Sequence, residues 1–462
     1  MHGSDVTTRD VMAGGADVIV RAADAGDTYL TWTWLDHSRT PEYKVLPAAS
    51  ADAALAALNV NLLAPVGGET DPQRLERVLV RGAFAARDAE RELASSLTAA
   101  ILPETLRRQI ADRANSGLGV RFRLTPSPRL ARVPWELLVV EGERRLVEFA
   151  EIVHEPPSTV HVDRAHLPAD WADVATQPVL YVLDPSLPTQ AHRHKLGPVL
   201  ERIDQQQFSA RIGELVAAGR LRRDESAKAM AYALTRDEFG AALREPRSRL
   251  LYFGHVSAAS EVPGSAAIHL HDTAETWGLA EPLRRRGANN LPIHRSDDHR
   301  PLAAIDLLLG TTLADEPTQK VGDATGLTEG PELWPMPTRV ALIACEGGVD
   351  YRSAEVFGLV VAMVNSGAGL VTTTRWTLPA NRAFRLVRED FSGHPTTDLA
   401  LRVDAAHEAA DPIGELIRWQ RAELDAWRAT GDLAHTPLVW ASLTHTVAPA
   451  RRVSRVQFDA DR

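Results

Sequence analysis

Leu250-Leu251-Tyr252-Phe253-Gly254-His255 and Val340-Ala341-Leu342-Ile343-Ala344-Cys345 follow one plan: a short apolar run that ends in a chemically reactive residue. Short runs that are nearly continuously apolar suit the central strands of a parallel sheet, whose two faces are both covered by helices. Two further runs of this kind are Val179-Leu180-Tyr181-Val182-Leu183 and Leu370-Val371-Thr372-Thr373. Helical segments lie between them. Thr235-Arg236-Asp237-Glu238 is a capping-box start, and Ser353 to Ser366 reads as a helix closed by Gly367, where a left-handed terminus falls. This alternation predicts an α/β core with a parallel sheet flanked by helices.

Upstream of that core the pattern differs. Asp17-Val18-Ile19-Val20, the turn Asp24-Ala25-Gly26-Asp27 and the alternating Tyr29-Leu30-Thr31-Trp32-Thr33-Trp34 predict a hairpin. A Pro/Gly/acid cluster from Pro65 to Pro72 ends this β-rich region. Gln73 to Ile110 is helical in pattern, punctuated at Pro103-Glu104, where proline suits a helix start. Strand-like patterns return over Gly119 to Leu124, Val133 to Leu138 and Leu146 to Val153. The expected organisation is therefore a β-rich accessory region over 1–68, an α+β part over 69–175, the α/β core over 176–450 and a tail over 451–462. Ser257 to Arg300 and Gly310 to Pro337 lack clear periodicity, and loops of this length are usually functional or mobile.

The chain has 462 residues, 44% hydrophobic and 24% charged, which is the composition of a globular protein. A net charge of −10 argues against nucleic acid as a partner, since phosphate binding needs surplus Lys and Arg. The apolar stretch from Val356 to Val371 is interrupted by Asn365, Ser366 and glycines, so no membrane span is expected. The first residues carry acids and no apolar run, so no secretory signal is expected, and a cytoplasmic location is the default.

Cys345 is the single cysteine. That excludes an intramolecular disulfide and a Cys-rich zinc site, leaving a buried structural thiol, a nucleophile or a residue of no consequence. Position favours chemistry. In an open α/β sheet, functional groups gather at the carboxyl ends of the strands. If the two runs are neighbouring parallel strands, His255 and Cys345 emerge on one edge. An adjacent imidazole raises the thiolate fraction of a thiol, and the same ring then protonates the leaving amine. Glycines after the cysteine, in Cys345-Glu346-Gly347-Gly348, let a substrate backbone approach. The backbone N–H groups of Cys345 and Val256, with Gly347 beside them, are the candidate oxyanion hole.

The two runs resemble the catalytic motifs of CHAT domains, which belong with caspases and separases. Further stretches resemble the same family in the same order. Arg132-Val133-Pro134-Trp135-Glu136-Leu137-Leu138 is similar to its "iPWElL" motif, and Ala233 to Phe239 to the helix start before the His strand. Asn365 to Val371, continuing to Arg375-Trp376, is similar to the strand after the Cys helix, and His435 to Ala441 to the "hP..WA" terminus. The resemblance spans roughly residues 70 to 445. It implies a caspase-like fold and a peptide hydrolase working through a thioester acyl-enzyme. It also implies a latent state released by a trigger, in a bacterial signalling or defence pathway, with a co-encoded regulatory or sensor protein as partner. In this chain Val256 follows the histidine where the family usually has glycine.

Around the pair, Glu346 and Asp350 would favour a basic residue at the cleavage site, against the alternative that they are solvated loop acids. Arg375 beside Trp376 is a candidate substrate contact, against the alternative of an ion-paired arginine. His269, His271 and Asp272, and separately His294, Asp297, Asp298 and His299, invite comparison with metal ligands, but no third ligand is fixed by spacing, so neither a metal nor another cofactor is expected. Trp135, Trp376 and Trp440 read as core aromatics. No P-loop, H-E-x-x-H or G-x-S-x-G pattern occurs. The leading function is thus a cysteine endopeptidase acting on a protein or peptide. The alternatives are a catalytically inactive caspase-fold scaffold that binds a partner, and a thiol-based acyl transferase.

Overall fold

The computed structural model of the chain describes residues 15–36, 40–157, 160, 164–194, 196–258, 264–286, 291–314, 326–345 and 356–448. The four apolar runs become four mutually parallel strands of a 12-stranded sheet. In chain order its strands are β1 (Gly15–Ala25), β2 (Asp27–Trp34), β3 (Glu42–Leu46), β4 (Gly119–Thr125), β5 (Ala150–His154) and β6 (Val179–Leu183). They continue as β7 (Arg249–Ser257), β8 (Ala267–Ile268), β9 (Leu302–Ala303), β10 (Arg339–Cys345), β11 (Leu370–Thr374) and β12 (Leu443–Val447). Spatially they run β9-β8-β7-β10-β11-β12-β5-β4-β1-β2-β3, with β6 also paired to β7. The sheet is mixed but mostly parallel. β12 lies antiparallel to β11, and β12, β5, β4 and β1 are parallel to one another beyond that seam.

Burial on both faces explains the continuous apolar runs. Leu251 and Phe253 pack with Tyr181, Ala341, Ile343 and Phe208, the last from the helix Arg202–Ala217. Leu250 and Tyr252 face the other way, with Leu180, Leu342 and Phe239 of the helix Arg236–Arg244. The strand period of two assigns alternate residues to separate cores. The predicted capping box at that second helix forms: Thr235 Oγ1 accepts from Glu238 N at 3.3 Å, and Glu238 Oε2 accepts from Thr235 N at 3.1 Å.

The predicted hairpin also forms, as β1 and β2 turning at Gly26, whose φ is +76°. β1 pairs in parallel with β4, so the N-terminal region extends the main sheet. Two strand-like readings give way to other structure. Val133 to Leu138 is a 3-10 turn at Trp135–Leu137, because Pro134 has no N–H to give a ladder and Trp135 turns fully into the core against Phe122. Leu146 to Val153 begins as one helical turn, Leu146–Phe149, before β5. Among the described residues, no helix is long and apolar enough to cross a membrane.

Candidate active site

β7 and β10 are adjacent and parallel, in register from Arg249 opposite Arg339 to His255 opposite Cys345. Cys345 is the last residue of β10. Apolar packing on both faces of the two strands sets this register, and its last pair is His255 with Cys345. For Cys345 the described feature is this backbone position. Glu346, Gly347 and Asp350 lie outside the described residues.

His255 is only 4% exposed. Its Nε2 lies 2.6 Å from the carbonyl oxygen of Gly197. A carbonyl can only accept, so Nε2 carries a proton, and in the neutral form of the ring Nδ1 is the basic nitrogen. The backbone at His255 is pinned as well. The Tyr252 hydroxyl donates to the His255 carbonyl at 2.7 Å and accepts from the backbone N–H of His269 at 3.1 Å. Gly254 makes room for this arrangement: a Cβ there would sit 3.1 Å from the Tyr252 hydroxyl and 3.2 Å from Pro185 Cδ.

A second layer of histidines lies behind the first. The His269 ring meets His255 edge-on at 6.3 Å between centroids. His269 Nδ1 is 2.9 Å from His299 Nε2, its Nε2 is 2.8 Å from Ser257 Oγ, and His299 Nδ1 is 2.9 Å from the Asp272 carbonyl. Burial, reinforced by the neighbouring His299 and His255, holds His269 well below the ordinary histidine range, so it is neutral at physiological pH. This chain of rings is where the two histidine-rich patches of the sequence meet. His271 stands apart, with Nδ1 2.8 Å from the Ser186 carbonyl. Among the described residues, no group of three His, Cys, Asp or Glu side chains is placed to hold a metal.

A cleft opens at the carboxyl ends of these strands. Val256 beside His255 and Ala344 before Cys345 both line it, with Thr374, Trp376, Leu62 and Leu63. Leu62 and Leu63 come from the N-terminal region, whose hairpin pattern carried no signal of such a role. Val256 itself pairs with Ile268 of β8. Arg375 borders the cleft but is 4% exposed, and its guanidinium is turned into the protein. Its Nη2 donates to both oxygens of Glu136, at 2.7 and 2.8 Å, and to the Leu443 carbonyl, while Nη1 donates to the Val133 carbonyl. The arginine thereby ties the end of β11 to the Trp135 turn. Trp376 donates to the Leu438 carbonyl at 2.8 Å, and Trp135 and Trp440 are fully buried.

Sequence reasoning also missed Gly197. Its contribution is a backbone carbonyl, which leaves no side-chain signature, and it sits in a loop that has no periodic pattern.

A family profile described as the CHAT domain matches residues 91–448. Among solved structures, the chain is similar to Saccharomyces cerevisiae separase in its complex with securin, with a TM-score of 0.46 and 8% sequence identity. That match covers 94% of this chain and 30% of the separase chain, so the protein spans under a third of that structure's length. No curated protein matches the chain.

Proposed function

Since the chain belongs to the CHAT domain family, we propose that it is a cysteine endopeptidase of caspase-like type with Cys345 as nucleophile and His255 as acid–base partner. The observation that supports this most is the register of β7 and β10, which sets the two backbones opposite one another at the strand ends. Register partners on adjacent strands fall on the same face of a sheet.

His255 Nδ1 takes the thiol proton, and the thiolate attacks the peptide carbonyl carbon. The oxyanion is held by the N–H groups of Cys345 and Val256, with Gly347 adjacent. Collapse breaks the C–N bond, the imidazolium returns its proton to the departing amine, and a thioester remains on the sulfur. Water, deprotonated by His255, then hydrolyses the thioester. The Gly197 carbonyl stabilises the imidazolium that forms in both halves of the cycle. Both halves use the one ring.

The substrate is a protein or peptide lying in the cleft between Val256, Ala344 and Trp376, with Glu346 and Asp350 favouring a basic residue near the cleaved bond. Arg375 acts there as a support, through Glu136, rather than as a direct contact. Residues 1–68 serve as a docking or regulatory region, in keeping with Leu62 and Leu63 on the cleft wall, ahead of the CHAT domain over 69–450. Latency until a trigger arrives, and a co-encoded sensor protein in a bacterial signalling or defence pathway, accord with family membership. The test is cleavage of a fluorogenic peptide panel, with and without the co-encoded partner, by wild type, Cys345→Ala and His255→Ala. Cleavage that survives in Cys345→Ala contradicts the mechanism.

A further inference from the structure

The loop that carries Gly197 begins at an unusual residue. Asp184, directly after β6, has φ of +46° and is 6% exposed. Only glycine visits this left-handed region freely, with Asn and Asp the commonest other occupants. Its backbone N–H donates to the Phe253 carbonyl at 2.6 Å, two residues before His255 in β7. Its carboxylate reaches forward across the loop. The Val199 N–H lies 3.0 Å from each carboxylate oxygen, and the Leu200 N–H lies 2.9 Å from one of them. Gly197, two residues before Val199, presents its carbonyl to His255. One buried residue therefore fastens both the strand that carries the histidine and the loop that carries its acceptor.

We infer that Asp184 is a positioning residue of the site: its carboxylate staples the loop so that the Gly197 carbonyl fixes His255 as the Nε2–H tautomer, keeping Nδ1 basic for the Cys345 proton. The inference rests on the reading of Cys345 and His255 as a dyad. Two backbone N–H groups pointing into a buried space need an acceptor, and a carboxylate offers two. An asparagine of the same shape would turn an NH2 toward one of them, donor against donor. The loop end would then shift, and the ring would lose the bond that sets its tautomer.

The experiment is the pH dependence of alkylation of the full chain by iodoacetamide, which reads the one thiol. The thiolate sulfur forms a bond to the CH2 carbon, iodide leaves with the C–I electron pair, and His255 keeps the proton it took. Asp184→Asn tolerates the left-handed backbone, so it tests the carboxylate. It should raise the alkylation midpoint by about one pH unit, which slows the reaction about tenfold on the acid side. In a His255→Ala background the same substitution should add nothing, because the effect travels through the ring. A lowered melting temperature with an unchanged midpoint would overturn the inference, leaving Asp184 a structural residue only. If His255→Ala itself leaves the midpoint unmoved, the dyad reading fails, and this inference with it. Where Asp184→Asn does not fold, Asp184→Gly keeps the backbone conformation without the carboxylate, and its midpoint decides the matter in the same way.

Discussion

Cys345 stands opposite His255 as the last register pair between two adjacent parallel strands. The pairs before it include Leu250 with Val340, Leu251 with Ala341 and Phe253 with Ile343. Hydrophobic packing on two faces thus aligns two residues that are far apart in the chain. A slip of one residue would take the two backbones out of this register, so the packing of the core holds the alignment of His255 with Cys345.

Gly254 is the closest point of that enforcement. A methyl group at this position meets Tyr252 and Pro185 at 3.1 to 3.2 Å, and Tyr252 is held by hydrogen bonds to the backbone of both His255 and His269. Gly254→Ala is expected to destabilise the fold by about 1–3 kcal/mol, the range for overpacking. It should lower peptidase activity further than stability alone explains, because Tyr252 anchors the His255 backbone. Urea denaturation alongside turnover checks both parts. Unchanged stability and activity would mean that the space at Gly254 is not limiting.

Arg375 and Glu136 form a buried pair, 2% and 1% exposed in their side chains and 2.7 Å apart. Removing one partner leaves the other charged and buried. Arg375→Leu is expected to cost about 3–5 kcal/mol, whereas Arg375→Met with Glu136→Leu should recover much of that loss. Denaturant midpoints of the single and double variants make the comparison. A double variant no better than the single one would show that the backbone acceptors, Val133 and Leu443, matter more than the carboxylate.

Acid sensitivity should come from buried histidines. Burial first, and then the positive charge of Arg375, lowers His445 to about 3. Burial also holds His154, His269 and His407 well below the ordinary range. In the unfolded chain these groups bind protons below about pH 6.5, while the folded chain keeps them neutral. Stability is therefore complete above that pH and declines as pH falls toward the folded values, by up to about 1.4 kcal/mol per pH unit for each histidine. Melting curves between pH 7 and 5 should show this decline, and His445→Gln should make it shallower. A flat profile over that range would contradict the burial of neutral rings.

How much of this was legible beforehand follows from what each feature imposes on sequence. A strand covered on both faces is apolar along most of its length, so β6, β7, β10 and β11 could be read directly, as could His255 near the end of β7 and Cys345 at the end of β10. The capping box at Thr235 is written in side chains and was legible for the same reason. Val133 to Leu138 misled because a buried Trp135 and its apolar neighbours look like a strand, and only Pro134 hints at the turn. Gly197 was invisible because its contribution is a carbonyl. Asp184 was invisible because its role depends on a loop that closes through tertiary contacts. Leu62 and Leu63 drew no reading of their own, because their place on the cleft wall depends on tertiary packing.

The most direct test is cleavage of a peptide or partner substrate by wild type, Cys345→Ala and His255→Ala, with mass spectrometry of the wild-type enzyme trapped during turnover. The expected result is cleavage by wild type, loss of it in both variants without loss of fold, and an acyl group attached through a thioester at Cys345. Cleavage undiminished in Cys345→Ala, or an acyl group on any other residue, would contradict the Cys345–His255 mechanism.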